Sequence, residues 1–181
     1  EMDRYKKSLE LLKKAEKLIP MQAQTFSKSP NWFPKGSYPV YLKEGHDGHV
    51  WDVDGNMYID LICGLGAITL GYKNQIIEDD IESFLAGTGS PSFSLPHPVE
   101  VELASKLHEI IPCAEMVRFA KNGTDVTNAA VRLAKAITGL DHVVQYGYHG
   151  GSNDWYGITT ERPAGIFSGL QYQIDTFKYN D

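Results

Sequence analysis

A chain of 181 residues is long enough for one full core or for one large piece of a bigger domain. Its 42% hydrophobic and 22% charged residues are ordinary for a soluble globular protein, and no apolar run approaches the roughly 20 residues that a membrane span needs. The net charge of −6, with Lys and Arg scattered apart from a short N-terminal cluster, argues against nucleic acid as a partner and makes an acidic, cytoplasmic protein the expectation.

Residues 3–19 place Leu9, Leu11, Leu12, Ala15, Leu18 and Ile19 at helical spacing among Lys and Glu. That pattern predicts a peripheral helix with one narrow buried face, ended by Pro20. Met21 to Gly36 is rich in Pro, Ser, Thr and aromatic residues without periodicity, an irregular loop that covers something. Tyr38 to Lys43 and His49 to Val53 read as short strands joined by the turn cluster Glu44 to Gly48. Asp54-Gly55 is a second hairpin turn and Met57 to Ile62 a third strand, so WDVDGNMYIDL completes a small antiparallel meander. Asp52, Asp54 and Asp60 lack the spacing and closing Glu of a calcium loop, and no metal is expected. Cys63 and Cys113 have no paired spacing and read as buried free thiols.

Gly64, Leu65 and Gly66, with Gly71 shortly after, allow a backbone to approach a ligand or another chain closely; taken alone they favour a tight packing turn between two layers. Asn74 caps a helix running to Leu85, with Ile76, Ile77, Ile81, Phe84 and Leu85 inside. A loop from Ala86 to His97 contains Ser92 and Ser94. Pro98 opens the next helix, through Val101, Leu103, Ala104, Leu107 and Ile110 to Pro112.

Met116, Val117 and Phe119 then form an apolar run that reads as a strand. It leads into the tight turn Asn122-Gly123-Thr124-Asp125 and an amphipathic helix that Gly139 stops after Thr138. A second strand, His142 to Tyr146, delivers Tyr148-His149-Gly150, and Tyr172 to Lys178 forms one more. The alternation predicts α/β architecture with parallel pairing and ligand sites at the strand C-terminal ends. The turn matches neither GxGxxG nor GxxxxGK[ST]. Asn122 and Asp125 can form a capping box, which accounts for them structurally. The N–H groups of Gly123 and Thr124 with the Thr hydroxyl suit a phosphate, provided Asp125 turns away. Tyr148 and His149 taken alone suit packing as well as ring contact; together the two strand ends suit a phosphorylated aromatic cofactor. About three strands cannot cover both faces of such a sheet, and the chain opens on Glu1, so it reads as part of a longer polypeptide.

The block EMVRFAKNGTDVTNAAVRLAKAITG, with YHG after the next strand and WDVDGNMYIDL and PHPVEVELASKL upstream, resembles class III pyridoxal-phosphate aminotransferases of fold type I. Within that family it is most similar to the glutamate-1-semialdehyde aminomutase group and to relatives in sugar or polysaccharide pathways. The resemblance runs from about Tyr38 to Asp181 in register. It implies that pyridoxal 5'-phosphate is the cofactor, with Asn122, Gly123 and Thr124 at the phosphate, Tyr148 stacked on the ring and His149 beside it. Members usually carry Ser-Gly-Thr, so Asn122 removes one hydroxyl contact. Gly64 and Leu65 would lie near the substrate, where the aminomutases carry Ser-Trp. Ser92 and Ser94 resemble the segment that family dimers present at the shared active site.

The resemblance further divides the chain into residues 1–71, a helix and meander of a small domain, and residues 72–181, the first part of the cofactor-binding large domain. The lysine that forms the Schiff base, and the aspartate that pairs with the pyridine nitrogen, lie downstream of the YHG loop in relatives. No catalytic residue is therefore assigned in this chain, and alone it is expected to be inactive. The full-length enzyme would be a cytoplasmic homodimer that moves an amino group between a small-molecule amino donor and a carbonyl acceptor such as a keto sugar or semialdehyde, with room for fusion to other domains. Two rival readings stay open: a non-catalytic module that keeps the crevice for binding or dimerisation, and a plain nucleotide-binding α/β domain.

Overall fold

A computed structural model describes residues 4–180, and its first helix, α1 (Lys6–Leu18), forms where the periodicity predicts it. Asp3, the expected start, lies outside the described residues. Tyr5, Ser8 and Ala15 are buried and Leu12 and Ile19 half-buried, one narrow stripe, while Leu18 on the expected face is exposed. The segment after Pro20 is irregular, as expected, and holds single 3-10 turns at Pro20–Gln22, Phe26–Lys28 and Pro30–Trp32.

The meander consists of β1 (Leu42–His46), β2 (His49–Asp52) and β3 (Met57–Ile59), antiparallel in that order. β1 lies later than the predicted Tyr38 to Lys43. Its register pairs His46 with His49, so the turn shrinks to Asp47-Gly48 and Glu44 to His46 join the ladder; the register shifts between Leu42 and Glu44, and Leu42 still pairs with Asp52. Pairing with β2, not local composition, sets that boundary.

Two carboxylates hold this unit. Asp52 is fully buried, and its oxygens accept hydrogen bonds from the N–H groups of Asp54 (3.0 Å) and Asn56 (2.8 Å), the Asn56 amide (2.8 Å) and the Tyr58 hydroxyl (2.9 Å). The tight turn at Gly55 (φ 91°) thereby presents Asp54 outward. Asp54 accepts from the N–H groups of Lys7 (2.7 Å) and Ser8 (3.0 Å) and so caps α1 from the meander. Those are first-turn N–H groups that the helix cannot satisfy itself, and α1 has no cap of its own from Tyr5.

Helix α2 (Gln75–Thr88) starts at Asn74, whose side chain accepts from the Ile77 N–H, and ends at Gly89 (φ 72°), one turn beyond the predicted Leu85. By its contacts the chain separates into two units, with the boundary between Ser94 and Leu95. The second holds α3 (Pro98–Ile110), α4 (Gly123–Thr138), β4 (Val143–Gln145), the short α5 (Asp154–Gly157) and β5 (Ile174–Thr176). β4 and β5 pair in parallel, Val143 with Ile174 and Gln145 with Thr176. The expected strand at Met116 to Phe119 forms no ladder among the described residues, because a strand exists only where a neighbour accepts and donates its backbone bonds.

The apolar faces expected inside are largely exposed: Ile76, Ile77, Ile81, Phe84 and Leu85 on α2, Val101, Leu103 and Ile110 on α3. Helical period is correctly legible there, but burial needs an opposing surface that the described residues do not supply. Cys63 and Cys113 are free, as read, yet Cys63 is only half-buried and Cys113 exposed. The described residues contain neither a cluster able to hold a metal ion nor a helix long and apolar enough to cross a membrane.

Burial opposes ionisation of Asp52, but the bonds from Asn56, Tyr58 and Asp54 outweigh it and hold its carboxyl below the usual carboxylate value. A depressed native pKa stabilises the fold above the unfolded value and is lost as pH falls through the native one. Asp52→Asn, which turns an amide N–H toward N–H donors, is expected to cost about 1–3 kcal/mol at neutral pH. In urea unfolding of the full-length protein the difference from wild type should shrink steadily below about pH 4.

Candidate functional site

Helix α4 begins at Gly123, with Asn122 extended (φ −127°, ψ 157°) as its N-cap. Asp125 faces back: its carboxylate accepts from the Asn122 N–H at 3.1 Å and from the Asn122 amide at 3.2 Å. The charge that would repel an anion is thus spent on the cap. The N–H groups of Asp125 and Val126 turn to the Asn122 carbonyl, at 3.2 and 3.3 Å, whereas those of Gly123 and Thr124 find no acceptor among the described residues. A Cβ built on Gly123 would meet nothing within 4 Å. Open space therefore adjoins two unpaired donors at the positive end of a helix that runs to Thr138.

The loop after β4 lies directly against this turn. Gly150 is buried with φ 108°, and a Cβ there would come within 2.9 Å of the Thr124 Cα. The Thr127 hydroxyl, one turn along α4, lies 2.7 Å from the His149 carbonyl and donates to it. The buried Asn153 closes the junction: its amide nitrogen is 3.0 Å from that carbonyl, 3.0 Å from the Thr127 hydroxyl and 3.3 Å from the Thr124 carbonyl. The two predicted strand ends are brought together in the second unit.

Tyr148 rests edge-on against Tyr156, ring centres 5.4 Å apart, and stays 76% exposed, so most of its ring is available for stacking. His149 is differently employed. Its Nε2 lies 2.6 Å from the Tyr146 carbonyl and donates to it, and its ring packs against the buried Trp155 (5.4 Å) and the edge of Tyr156 (5.9 Å). It buttresses the loop beside Tyr148.

Gly64, Leu65, Ser92 and Ser94 belong to the other unit. Cys63, Gly64, Leu65 and Gly66 all have positive φ, at 49°, 59°, 61° and 92°, forming one left-handed turn. Each non-glycine residue in that conformation costs roughly 1–2 kcal/mol, yet two of the four are not glycine. The turn is held by Asp60, which accepts from the N–H groups of Ile62 (2.8 Å) and Cys63 (3.2 Å) and from the Tyr72 hydroxyl (2.7 Å). The Tyr72 bond foremost keeps the Asp60 carboxyl below its usual value, and Asp60 in turn pushes Tyr72 up to about 12. Ser92 exchanges hydrogen bonds with Ser90, whose hydroxyl donates to the Ser92 carbonyl (2.7 Å) and accepts from its N–H (3.2 Å).

Sequence reasoning singled out neither Asn153 nor Thr127. Thr127 follows Thr124 by three residues on one helix face, a spacing that signals a shared side but not a partner in a later loop. Asn153 stands in an unpatterned polar run, and only its burial marks it.

These elements define a class. The fold is that of the N-terminal part of the pyridoxal-phosphate-dependent fold type I transaminases. A solved structure of the FumI protein of Sphingopyxis sp. MTA144, in its PLP internal aldimine form, superposes with a TM-score of 0.84 at 28% identity over 97% of this chain and 41% of that one. A transaminase solved with PLP bound gives 0.84 at 27%, again over 97% of this chain and 42% of that one.

Residues 33–181 match the Aminotransferase class-III family, and the chain belongs to it. It is 37% identical to the 3-aminobutyryl-CoA aminotransferase of Cloacimonas acidaminovorans over 97% of this chain and 41% of that protein. It is 38% identical to the glutamate-1-semialdehyde 2,1-aminomutase of Syntrophomonas wolfei over 81% of this chain and 34% of that protein. The chain therefore spans about two fifths or less of the length of these curated relatives.

The contact between Gly150 and Thr124 leaves no room for a side chain. Gly150→Ala combines a left-handed conformation with an overlap against α4, and should destabilise the full-length protein by roughly 1–3 kcal/mol. Thermal unfolding would reveal the lowered midpoint.

Proposed function

We propose that the full-length protein is a pyridoxal-phosphate-dependent aminotransferase or aminomutase, and that the second unit carries the cofactor's phosphate and ring contacts. The observation that supports this most is the pair of unpaired N–H groups at Gly123 and Thr124, on a helix start that Thr127 ties to the loop exposing Tyr148. The residues fit the cofactor: open space at Gly123, an outward ring at Tyr148, and a helix N-terminus whose own acid is engaged elsewhere. Bound pyridoxal phosphate supplies an electron-withdrawing ring that allows an amino group to be moved between carbon atoms.

In this reading Gly123 and Thr124 donate backbone N–H groups, and Thr124 its hydroxyl, to the phosphate; Asn122 shapes the cap in place of a further hydroxyl. Tyr148 covers one face of the ring and excludes water from it, while His149 fixes the angle of that loop. Gly64, Leu65, Ser92 and Ser94 are assigned to the substrate by resemblance to the family, and the left-handed backbone at Leu65 is of the kind found at ligand sites. The substrates are a small-molecule amino donor and a carbonyl acceptor, a semialdehyde or keto sugar by class. The assembly is a cytoplasmic homodimer, with residues 1–71 serving the small domain and 72–181 opening the large one.

The test is the absorption spectrum of the full-length protein with pyridoxal phosphate before and after borohydride. A visible band abolished by reduction is expected, and its absence would sink the proposal. Thr124→Val should weaken cofactor binding about tenfold, the value of one hydrogen bond to a charged group. Tyr148→Ala should weaken it by a similar factor through lost stacking.

A further inference from the structure

We propose that Asn153 is a positioning residue that sets the spacing between the phosphate turn and the Tyr148 loop, so that one ligand engages both at once. The inference rests on the cofactor reading above. Asn153 is 5% exposed and lies outside every predicted contact.

An amide nitrogen has two hydrogens, and that of Asn153 faces three acceptor sites: the Thr124 carbonyl, the His149 carbonyl and the Thr127 hydroxyl oxygen. The Thr127 hydroxyl has one hydrogen, which goes to the nearer carbonyl, His149 at 2.7 Å, rather than to Thr124 at 3.1 Å. Its oxygen is then free to accept from Asn153. With acceptors on every side, the nitrogen rather than the oxygen of the amide must point into the junction, which fixes the side-chain orientation.

What the knot joins gives it meaning. The Thr124 carbonyl belongs to a residue whose N–H finds no acceptor among the described residues. The His149 carbonyl follows directly on Tyr148, and Gly150 next to it touches the Thr124 backbone. Asn153 thus holds Thr124 by its carbonyl and the loop by the His149 carbonyl, one residue from Tyr148, while leaving the Thr124 N–H and the Tyr148 ring free for the ligand. Two weak sites held at a fixed distance bind a two-part ligand far better than two sites that drift, because the second contact is made without further loss of freedom.

The distinguishing measurement is made on the full-length apoprotein with three probes: inorganic phosphate, pyridoxal without its phosphate, and pyridoxal phosphate. Asn153→Ala should lower affinity for pyridoxal phosphate about tenfold while affinities for the two separate probes change less than about twofold. Thr127→Val, near-isosteric and lacking the hydroxyl that links the same groups, should give the same pattern and guards against a folding defect in the first variant. Equal losses for all three probes would make Asn153 a general structural residue and overturn the proposal, as would unchanged affinities. If the wild-type protein binds pyridoxal phosphate no better than pyridoxal, the cofactor reading itself fails, a result distinct from either of those.

Discussion

A helix cannot satisfy the N–H groups of its own first turn, and in α4 the acid best placed to neutralise them faces away. Asp125 returns to the N-cap, where it holds the Asn122 N–H, and the cost of that arrangement is two donors left at Gly123 and Thr124. The rest of the second unit follows from it. The loop after β4 packs so closely on this turn that only glycine fits at position 150, and an amide and a hydroxyl tie its carbonyl to the helix. Gly123 is exposed, so these donors meet solvent when no ligand is there; beside an exposed aromatic ring they are what supports the proposed reading of a phosphorylated aromatic ligand.

The first unit solves a different problem with the same chemistry. A three-stranded meander has little core, and here hydrogen-bonded carboxylates, Asp52 fully buried among them, take over part of its work. Asp52 organises the hairpin from within, Asp54 reaches out to α1, and Asp60 fastens the left-handed turn to Tyr72. The aspartates that invite a calcium reading are all engaged by N–H and O–H donors. Each accepts hydrogen bonds from two or more groups, which is the structural work their pattern does in this unit.

Much of this was legible without coordinates, for physical reasons that differ by element. α1, α2, α3 and α4 announce themselves through period and caps: Asn74, Pro98, Asn122 and Gly139 sit at the boundaries where such residues belong. The Asn122 to Asp125 turn and the Tyr148 loop are expected as neighbours from a parallel-strand pattern; they do meet, through Thr127, Asn153 and Gly150, although the strand expected before Asn122 forms no ladder among the described residues. What could not be read were matters decided across the chain. The start of β1 depends on which β2 residue it meets, the Met116 to Phe119 run forms no strand without a ladder, and the apolar faces of α2 and α3 stay exposed without an opposing surface. Asn153 is the sharpest case, since a single polar residue in a loop carries no pattern until its three acceptors are in place.

The pairing of β4 with β5 also bears on how the molecule comes into being. The meander closes between residues only a few positions apart, so it can form as soon as that stretch of chain is synthesised. Val143, by contrast, has no sheet partner until Ile174 has been made and brought back past α5. Closing that span costs chain entropy before any ladder bond is gained, which orders the two events: the capped helix and meander first, the pairing of β4 with β5 later. The nascent chain would hold a settled meander while the second unit is still searching for its register.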